Sequence, residues 1–152
     1  MSLIIALGSN LGNRLANLQQ AATYLSSSYS SIASSRVYRS EAVDEHDQPF
    51  FFNQVLEFKI PSCNPEMVMS HLLSIENTMG RVRERPKGPR IIDIDIVFWG
   101  LEKIQGPTLK IPHPRWGQRS FVVRPLRELP YFLTLINYFD FPENFEVEAF
   151  LL

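Results

Sequence analysis

The pattern of hydrophobic and polar residues predicts four strands and two helices in the order β-α-β-β-α-β. Leu3 to Leu7 is a short, continuous apolar run that ends at Gly8, as expected for a buried strand. Residues 50–60 alternate between apolar and polar positions, which places successive side chains on opposite faces of a strand. The two remaining strands are predicted over residues 32–39 and 91–99.

Segments with helical periodicity lie between these strands. Apolar residues at positions 15, 18, 22 and 25 form one stripe, which follows Asn10 and Asn13. Either asparagine can cap the first helix. Positions 68, 72, 75 and 79 form a second stripe, which begins after Asn64 and ends at Gly80. A short third helix is expected around residues 121–129.

This order is typical of an α+β, ferredoxin-like β-α-β-β-α-β sandwich with long ordered loops and a short C-terminal extension. Two helices are expected on one face of a mainly antiparallel sheet, with loops and the C-terminal segment on the other. A chain of 152 residues has the size of one domain. We expect a single domain over residues 1–152, with a tail at 130–152 that carries no recognised motif.

Composition narrows the classes of partner. The net charge of −1 gives no overall attraction to nucleic acid or to an anionic membrane. The apolar N-terminal run lacks a basic leader and is too short for a signal peptide or a membrane span. Cys63 is the only cysteine, so a reducing compartment is the default. We expect a cytoplasmic monomer that binds neither nucleic acid nor membranes.

The uneven distribution of charge indicates a local anionic ligand. Eleven of the fifteen lysines and arginines lie between Arg81 and Arg127. Residues 80–90 contain five cations and one anion, a local charge of +4, and run directly into the last predicted strand. Because guanidinium groups match phosphate oxygens in pairs, this segment is suited to binding phosphates.

Asp93 and Asp95 lie on one face of that strand because alternate side chains point the same way. Two close carboxylates repel unless a cation or a proton lies between them. Hard oxygen ligands favour magnesium, which usually arrives with substrate phosphates. The simpler alternatives are a solvated strand face and pairing of the aspartates with neighbouring arginines. The cationic segment favours the metal-dependent polyphosphate site.

Two further groups of residues are candidates for ligand contacts. Phe51 and Asn53 lie on the strand face opposite Phe52, where a ring and an amide can bind a flat heterocycle. Phe51 can equally pack under the long loop that precedes it. His113 lies between prolines and close to two arginines, which makes it a candidate phosphate contact.

Taken in order, these motifs resemble those of the 6-hydroxymethyl-7,8-dihydropterin pyrophosphokinases, a family of folate biosynthesis. The resemblance extends from Leu3 to about Leu129. It rests on residues 6–12, 37–40, 47–53, 80–83, 88–95 and 111–121. It implies a ferredoxin-like fold and transfer of a diphosphate from ATP to the hydroxymethyl group of the dihydropterin, with AMP as the second product.

The resemblance also implies a role for individual residues. Asp93 and Asp95 would hold two Mg²⁺ ions that bridge the ATP phosphates. The catalytic residues would be Arg81, Arg83, Arg90 and Asp95. The ATP-binding residues would be Glu76, Arg81, Arg83, Arg85, Arg90, Ile96, Thr108, Lys110, His113 and Arg119. The pterin would be bound by Ser40, Val43, Phe51, Asn53 and Phe121, with the two phenylalanine rings on either side of it. Residues 81–90 would close over the bound substrates.

This chain departs from the family pattern at several positions. Lys87 stands where an aromatic residue is usual, and residues 81–90 are one residue short. Phe51 stands where tyrosine is common, which removes a hydroxyl but keeps the ring. Glu41 takes the place of a frequent proline in the pterin pocket.

Two other classes of protein share parts of this pattern. An RNA-recognition module has the same element order and aromatic residues on its third strand, but its characteristic Gly-Phe motif is absent here and paired aspartates would repel a nucleic-acid backbone. A palm-like nucleotidyltransferase also carries paired aspartates. That class would release pyrophosphate, whereas we expect AMP.

Overall fold

The computed structural model describes residues 1–42, 47–82 and 88–152. Within these residues the main sheet has six strands: five lie in the order β5-β1-β4-β3-β8, and the sixth, β2, also pairs with β4. All of its strand pairs are antiparallel. The strands are β1 (Ser2–Ser9), β2 (Ser31–Ser34), β3 (Tyr38–Ser40), β4 (Phe51–Lys59), β5 (Asp93–Trp99) and β8 (Phe150–Leu151). Two short strands, β6 (Ile104–Gln105) and β7 (Lys110–Ile111), form a separate hairpin.

Four α-helices accompany the sheet in the described part of the chain. They are α1 (Arg14–Ser28), α2 (Pro65–Thr78), α3 (Ser120–Leu126) and α4 (Phe132–Leu135). Asn13 caps α1 by accepting from the amide of Ala16 at 3.1 Å, and Asn64 caps α2 in the same way. None of the described helices has the length and apolarity that a membrane span requires.

The helical face of the sheet is covered by α1 and α2. Its core contains the predicted positions 18, 25, 68, 72 and 75, together with Leu56 and Phe58 from β4. The prediction that Leu15 belongs to this stripe is wrong, because Leu15 is exposed and Ala21 is buried in the core. The buried stripe of α1 is therefore formed by Leu18, Ala21 and Leu25.

The opposite face of the sheet is covered by α3 and by residues 130–152. Val55 and Phe98 pack there against Leu135 and the aromatic residues of the tail. Glu57 is buried on this face, where it accepts from the Ser2 hydroxyl at 2.8 Å and from the Tyr131 amide at 3.1 Å. These bonds tie the start of the tail to the sheet.

The single strand predicted over residues 32–39 is wrong, because the structure has two short strands there. Ser35 interrupts the ladder, since its hydroxyl rather than its carbonyl accepts from the Val55 amide at 3.0 Å. The Ser35 carbonyl accepts from the Gln54 side chain instead.

Candidate functional site

Two cavities meet at the face of β5 that carries the paired aspartates. The aromatic cavity opens between β1, β4 and α3, and the helix-side cavity opens between α2, β5 and β7. Asp93, Asp95 and His113 line both of them. As predicted, Ile94 and Ile96 point to the opposite face and pack in the helical core. The carboxylate pair is therefore the boundary between two binding spaces.

The aromatic cavity has a volume of about 250 Å³ and contains most of the predicted pterin contacts. Ser40, Phe51, Asn53 and Phe121 all line it. The Asn53 amide nitrogen donates to the Ser40 hydroxyl at 2.9 Å and to the Tyr38 carbonyl at 3.3 Å. Because these bonds occupy the nitrogen, the orientation of the buried amide is set before any ligand binds.

Gly8 forms the floor of the aromatic cavity. In the strand register it lies between Asp93 on β5 and Asn53 on β4. A Cβ atom at position 8 would meet the Asn53 Oδ1 atom and the Phe51 ring, each at 3.5 Å. Glycine therefore leaves open the space that separates the amide from the carboxylates.

Arg81 is buried between two carboxylates at the end of α2. Its Nη1 atom lies 2.8 Å from Glu76 Oε2 and 2.8 Å from Asp93 Oδ1. Only 7% of the Arg81 side chain and 3% of the Glu76 side chain are exposed. Glu76 Oε2 also accepts from the Ile94 amide at 2.8 Å, so Glu76 links α2, β5 and the arginine. Glu76 thus holds the buried Arg81 guanidinium in contact with Asp93.

Arg90 is held beside the same site by Asn10. The Asn10 side chain accepts from the Arg90 amide at 2.7 Å, and the Asn10 amide donates to the Arg90 carbonyl at 3.0 Å. The Arg90 guanidinium lies 3.6 Å from Asp93 and 6.0 Å from the centre of the Phe51 ring. Sequence reasoning treated Asn10 as one of two possible helix caps and missed this role.

The charges around Asp95 shift several pKa values. Burial, with a contribution from neighbouring Asp93, raises the pKa of Asp95 to about 7. Burial beside Arg119 lowers the pKa of His113 to about 4, so this imidazole is neutral at pH 7. Burial also lowers the pKa of Arg119, while Asp95 and Asp93 oppose that shift. A bound cation would therefore relieve the repulsion between the Asp93 and Asp95 carboxylates.

The helix-side cavity has a volume of about 500 Å³. Among the predicted ATP contacts, Glu76, Ile96, Thr108, Lys110 and His113 line it. Arg119 lines the aromatic cavity instead, on the other side of the carboxylate pair. Val43, Arg83 and Arg85 lie outside the described residues, as does Lys87.

Further residues line the aromatic cavity that were not chosen as site residues from the sequence. Arg115 and Trp116 line it together with Glu41 and Ala42. The sequence signal that could have found Arg115 and Trp116 is the density of cations and rings in segment 111–121. The Trp116 ring lies 5.2 Å from the Phe98 ring, so it connects the wall of the aromatic cavity to the core on the sheet face opposite α1 and α2.

The donor set at this site fits magnesium. Two aspartate carboxylates face the cavities, and Asp93 is also paired with Arg81 and Arg90, the simpler alternative raised from the sequence. The described residues contain no cluster of three or more His, Cys, Asp or Glu side chains that would complete a metal cage. Mg²⁺ is commonly held by one or two carboxylates, with substrate phosphates and water as the other ligands. The arrangement therefore suits a metal that binds together with a phosphate ligand.

Comparison with known proteins gives consistent matches over most of the chain. The model of the family described as 7,8-dihydro-6-hydroxymethylpterin-pyrophosphokinase (HPPK) matches residues 4–130. The folic acid synthesis protein fol1 of Pneumocystis carinii is 42% identical over 82% of this chain, which spans 17% of that protein. The 2-amino-4-hydroxy-6-hydroxymethyldihydropteridine pyrophosphokinase of Bacillus subtilis is 39% identical over 82% of this chain and 75% of its own length.

A solved structure shares the fold. The crystal structure of an HPPK-DHPS in complex with substrates superposes with a TM-score of 0.62 at 16% identity, over 84% of this chain and 40% of that one. The mixed α/β architecture with its antiparallel sheet is therefore an HPPK-type architecture. Since the family model covers residues 4–130 and the B. subtilis relative matches over most of both chains, this chain belongs to the 7,8-dihydro-6-hydroxymethylpterin-pyrophosphokinase family.

Proposed function

We propose that this chain transfers a diphosphate from ATP to the hydroxymethyl group of 6-hydroxymethyl-7,8-dihydropterin and releases AMP. The observation that carries the proposal is that two cavities of different character share Asp93 and Asp95. A transferase with two substrates needs its donor and its acceptor on either side of the reacting atoms. Family membership supports the same reaction.

The pterin binds in the aromatic cavity. Phe51 and Phe121 stack on its two faces, and Asn53 Oδ1 accepts from its ring N–H groups, since the amide nitrogen is already engaged. The hydroxymethyl group then points toward Asp95. Arg90 and Arg119 lie beside the Phe51 and Phe121 rings, respectively, which places cations next to the attacking oxygen.

ATP binds in the helix-side cavity, with its nucleoside along Ile96, Thr108 and Lys110. Its β- and γ-phosphates extend toward Arg81, Arg90 and Arg119. The neutral imidazole of His113 hydrogen-bonds a phosphate oxygen, because its pKa of about 4 leaves it uncharged at pH 7. Arg83 and Arg85 contact the phosphates as well in this proposal, which for them rests on sequence alone.

Asp93 and Asp95 would hold two Mg²⁺ ions. Bound there, magnesium would supply positive charge to neutralise the phosphates and to stabilise the attacking and leaving oxygens. The hydroxyl oxygen attacks the β-phosphorus, the bond between that phosphorus and the α-β bridging oxygen breaks, and AMP leaves. The Asp95 carboxylate takes up the hydroxyl proton. Catalysis rests mainly on the positioning of the two substrates and on stabilisation of charge by the surrounding cations.

The chain acts in this proposal as a single cytoplasmic domain over residues 1–152, and as a monomer. The elements β1, α1, β3, β4, α2 and β5 correspond to the β-α-β-β-α-β order of the ferredoxin-like class, with sheet order β5-β1-β4-β3. The remaining strands and residues 130–152 are additions to this four-stranded sheet, at its edge and on the face opposite α1 and α2.

The test is product identification. The protein is incubated with ATP, Mg²⁺ and the hydroxymethyl-dihydropterin, and nucleotides are separated by chromatography. AMP that forms only when the pterin and the metal are both present supports the proposal. ADP would indicate transfer of a single phosphate, and inorganic pyrophosphate would indicate a nucleotidyltransferase; either result would refute it.

A further inference from the structure

The last eleven residues, 142–152, form what we call the C-terminal strap, which lies between α3 and β3, two elements that contribute residues to the aromatic cavity. The strap lies beyond residues 4–130, the part of the chain that the family model matches. On one side it contacts α3, and on the other it contacts β3. These two elements carry residues from opposite walls of the proposed pterin site.

Arg124 of α3 holds the strap through a bidentate ion pair. Its Nε atom lies 2.9 Å from Glu148 Oε1, and its Nη2 atom donates to Glu148 Oε2 at 3.1 Å. Nη2 also donates to the Glu143 carbonyl at 2.9 Å. The guanidinium lies 5.0 Å from the centre of the Phe145 ring. Such paired bonds fix orientation as well as distance.

A second contact holds the strap at the first turn of α3. The buried Ser120 hydroxyl donates to the Val147 carbonyl at 2.7 Å. Ser120 lies directly between Arg119 and Phe121, the proposed phosphate and pterin contacts. Glu146 and Val147 line a small cavity with both of these residues. The strap therefore forms part of the wall behind two site residues.

On its other side the strap extends the sheet next to Ser40. β8 pairs with β3, so that Leu151 lies opposite Tyr38, and the Leu152 amide donates to the Val37 carbonyl at 3.0 Å. The Tyr38 carbonyl and the Ser40 hydroxyl orient the Asn53 amide. One segment of chain is thus bonded to the element that carries Phe121 and to the element that orients Asn53.

We propose that the C-terminal strap is a positioning element for the pterin, in which the Arg124–Glu148 pair sets the distance between α3 and β3. This inference rests on the proposed function, because it assigns the strap to the acceptor side of that reaction. A ring held between Phe51 and Phe121 requires a fixed gap, and a small displacement of one wall weakens both stacking and alignment. Neither cavity has a strap residue among its lining residues, so the strap acts on the aromatic cavity through α3 and β3, whose residues Phe121 and Ser40 line it.

The experiment compares Michaelis constants for the two substrates in strap variants of the full chain. We expect Arg124→Glu, which places two carboxylates together, to raise the KM for the pterin about tenfold or more and to leave the KM for ATP within about twofold. Glu148→Gln, which keeps the size of the side chain, should act in the same direction with a smaller effect. The exchange Arg124→Glu/Glu148→Arg should recover most of the pterin KM.

The matched control is Asn64→Ala, which removes the cap of α2 at a distance from the aromatic cavity. It should lower the melting temperature without changing the KM for the pterin. Unchanged pterin KM in both Arg124→Glu and Glu148→Gln, an equal rise for both substrates, or no recovery in the exchanged pair would overturn the strap proposal. A wild-type protein that makes no AMP would instead refute the proposed function.

Discussion

The two cavities that meet at Asp93 and Asp95 are built in different ways. The aromatic cavity is bordered by the adjacent strands β1 and β4, and its polar groups are oriented by hydrogen bonds within the sheet. The helix-side cavity has exposed residues such as Thr108 and Lys110 on its rim. A flat, neutral acceptor needs a rigid slot, whereas a flexible polyphosphate is held mainly by charge. If the pterin occupies the aromatic cavity as proposed, acceptor binding depends mainly on shape and donor binding mainly on charge.

The largest effect is expected at the boundary that both cavities share. Asp95→Asn keeps the size of the side chain but removes the charge, and we expect kcat to fall on the order of 10³-fold or more. Binding of the pterin alone, measured by calorimetry, should change little because Phe51, Asn53 and Phe121 remain. Full turnover by this variant would show that the carboxylate pair does not define the reacting position.

Arg81→Ala should damage the donor side and the fold together. The substitution leaves Glu76 buried next to the alanine, and breaking a buried ion pair costs about 3–5 kcal/mol of unfolding free energy. Urea denaturation measures that loss. In the folded fraction the KM for ATP should rise more than the KM for the pterin. Arg81→Lys, which keeps the charge, serves as the control and should lose less of both.

Phe121→Ala should have the opposite selectivity. Removing one face of the stack should raise the KM for the pterin about tenfold, since an aromatic contact of this kind contributes about 1–3 kcal/mol. The KM for ATP should stay within about twofold. Equal effects on the KM values of both substrates would show that the two cavities do not bind the two substrates separately.

Magnesium binding should depend on pH through Asp95. Its pKa of about 7 lies above the ordinary carboxyl value, so below pH 7 a proton occupies the site and competes with the metal. Affinity for Mg²⁺ should rise up to about tenfold per pH unit below 7 and level off above it. The folding stability of the metal-free protein should depend on pH in the opposite direction. Because the pKa of Asp95 is raised in the folded state, protonated Asp95 stabilises the fold at low pH, and this contribution is lost as the pH rises from about 4 to about 7. Calorimetry and thermal melts between pH 5 and 9 measure both trends.

The smallest effect is expected from the floor of the aromatic cavity. Gly8→Ala adds one methyl group at ordinary contact distance from Asn53 and Phe51. It should raise the KM for the pterin only by a few fold, since the loss of one such space is worth about 1 kcal/mol. Gly117→Ala is the matched control, because a Cβ atom there would meet no other atom within 4 Å.

Local patterns in the sequence predicted much of this architecture. The caps at Asn13 and Asn64 depend on neighbouring residues, and the alternation of Asp93 and Asp95 with isoleucines depends only on strand geometry. The break in the strand at Ser35 was missed because a side-chain bond to β4 replaces a backbone bond there. Competition between a side-chain and a backbone hydrogen bond cannot be predicted from the alternation of apolar and polar residues alone.

The predictions made from the sequence mainly missed contacts between residues that lie far apart in the chain. Asn10 holds Arg90 across a separation of 80 residues, and Glu57 holds Tyr131 across 74. The sequence left residues 130–152 without a role, yet they cover the far face of the sheet and extend it through β8. Such pairings follow from the assembled sheet, and a single sequence carries no local signal for them.

A count of the bound metal ions tests the proposal that the aspartate pair joins the two cavities through bound metal. Mn²⁺ replaces Mg²⁺ in a titration followed by electron paramagnetic resonance, with a non-hydrolysable ATP analogue and the pterin both present. We expect two bound ions per chain in the wild type and fewer in Asp95→Asn. An unchanged count in Asp95→Asn, or a wild type that binds no more than one ion, would contradict it.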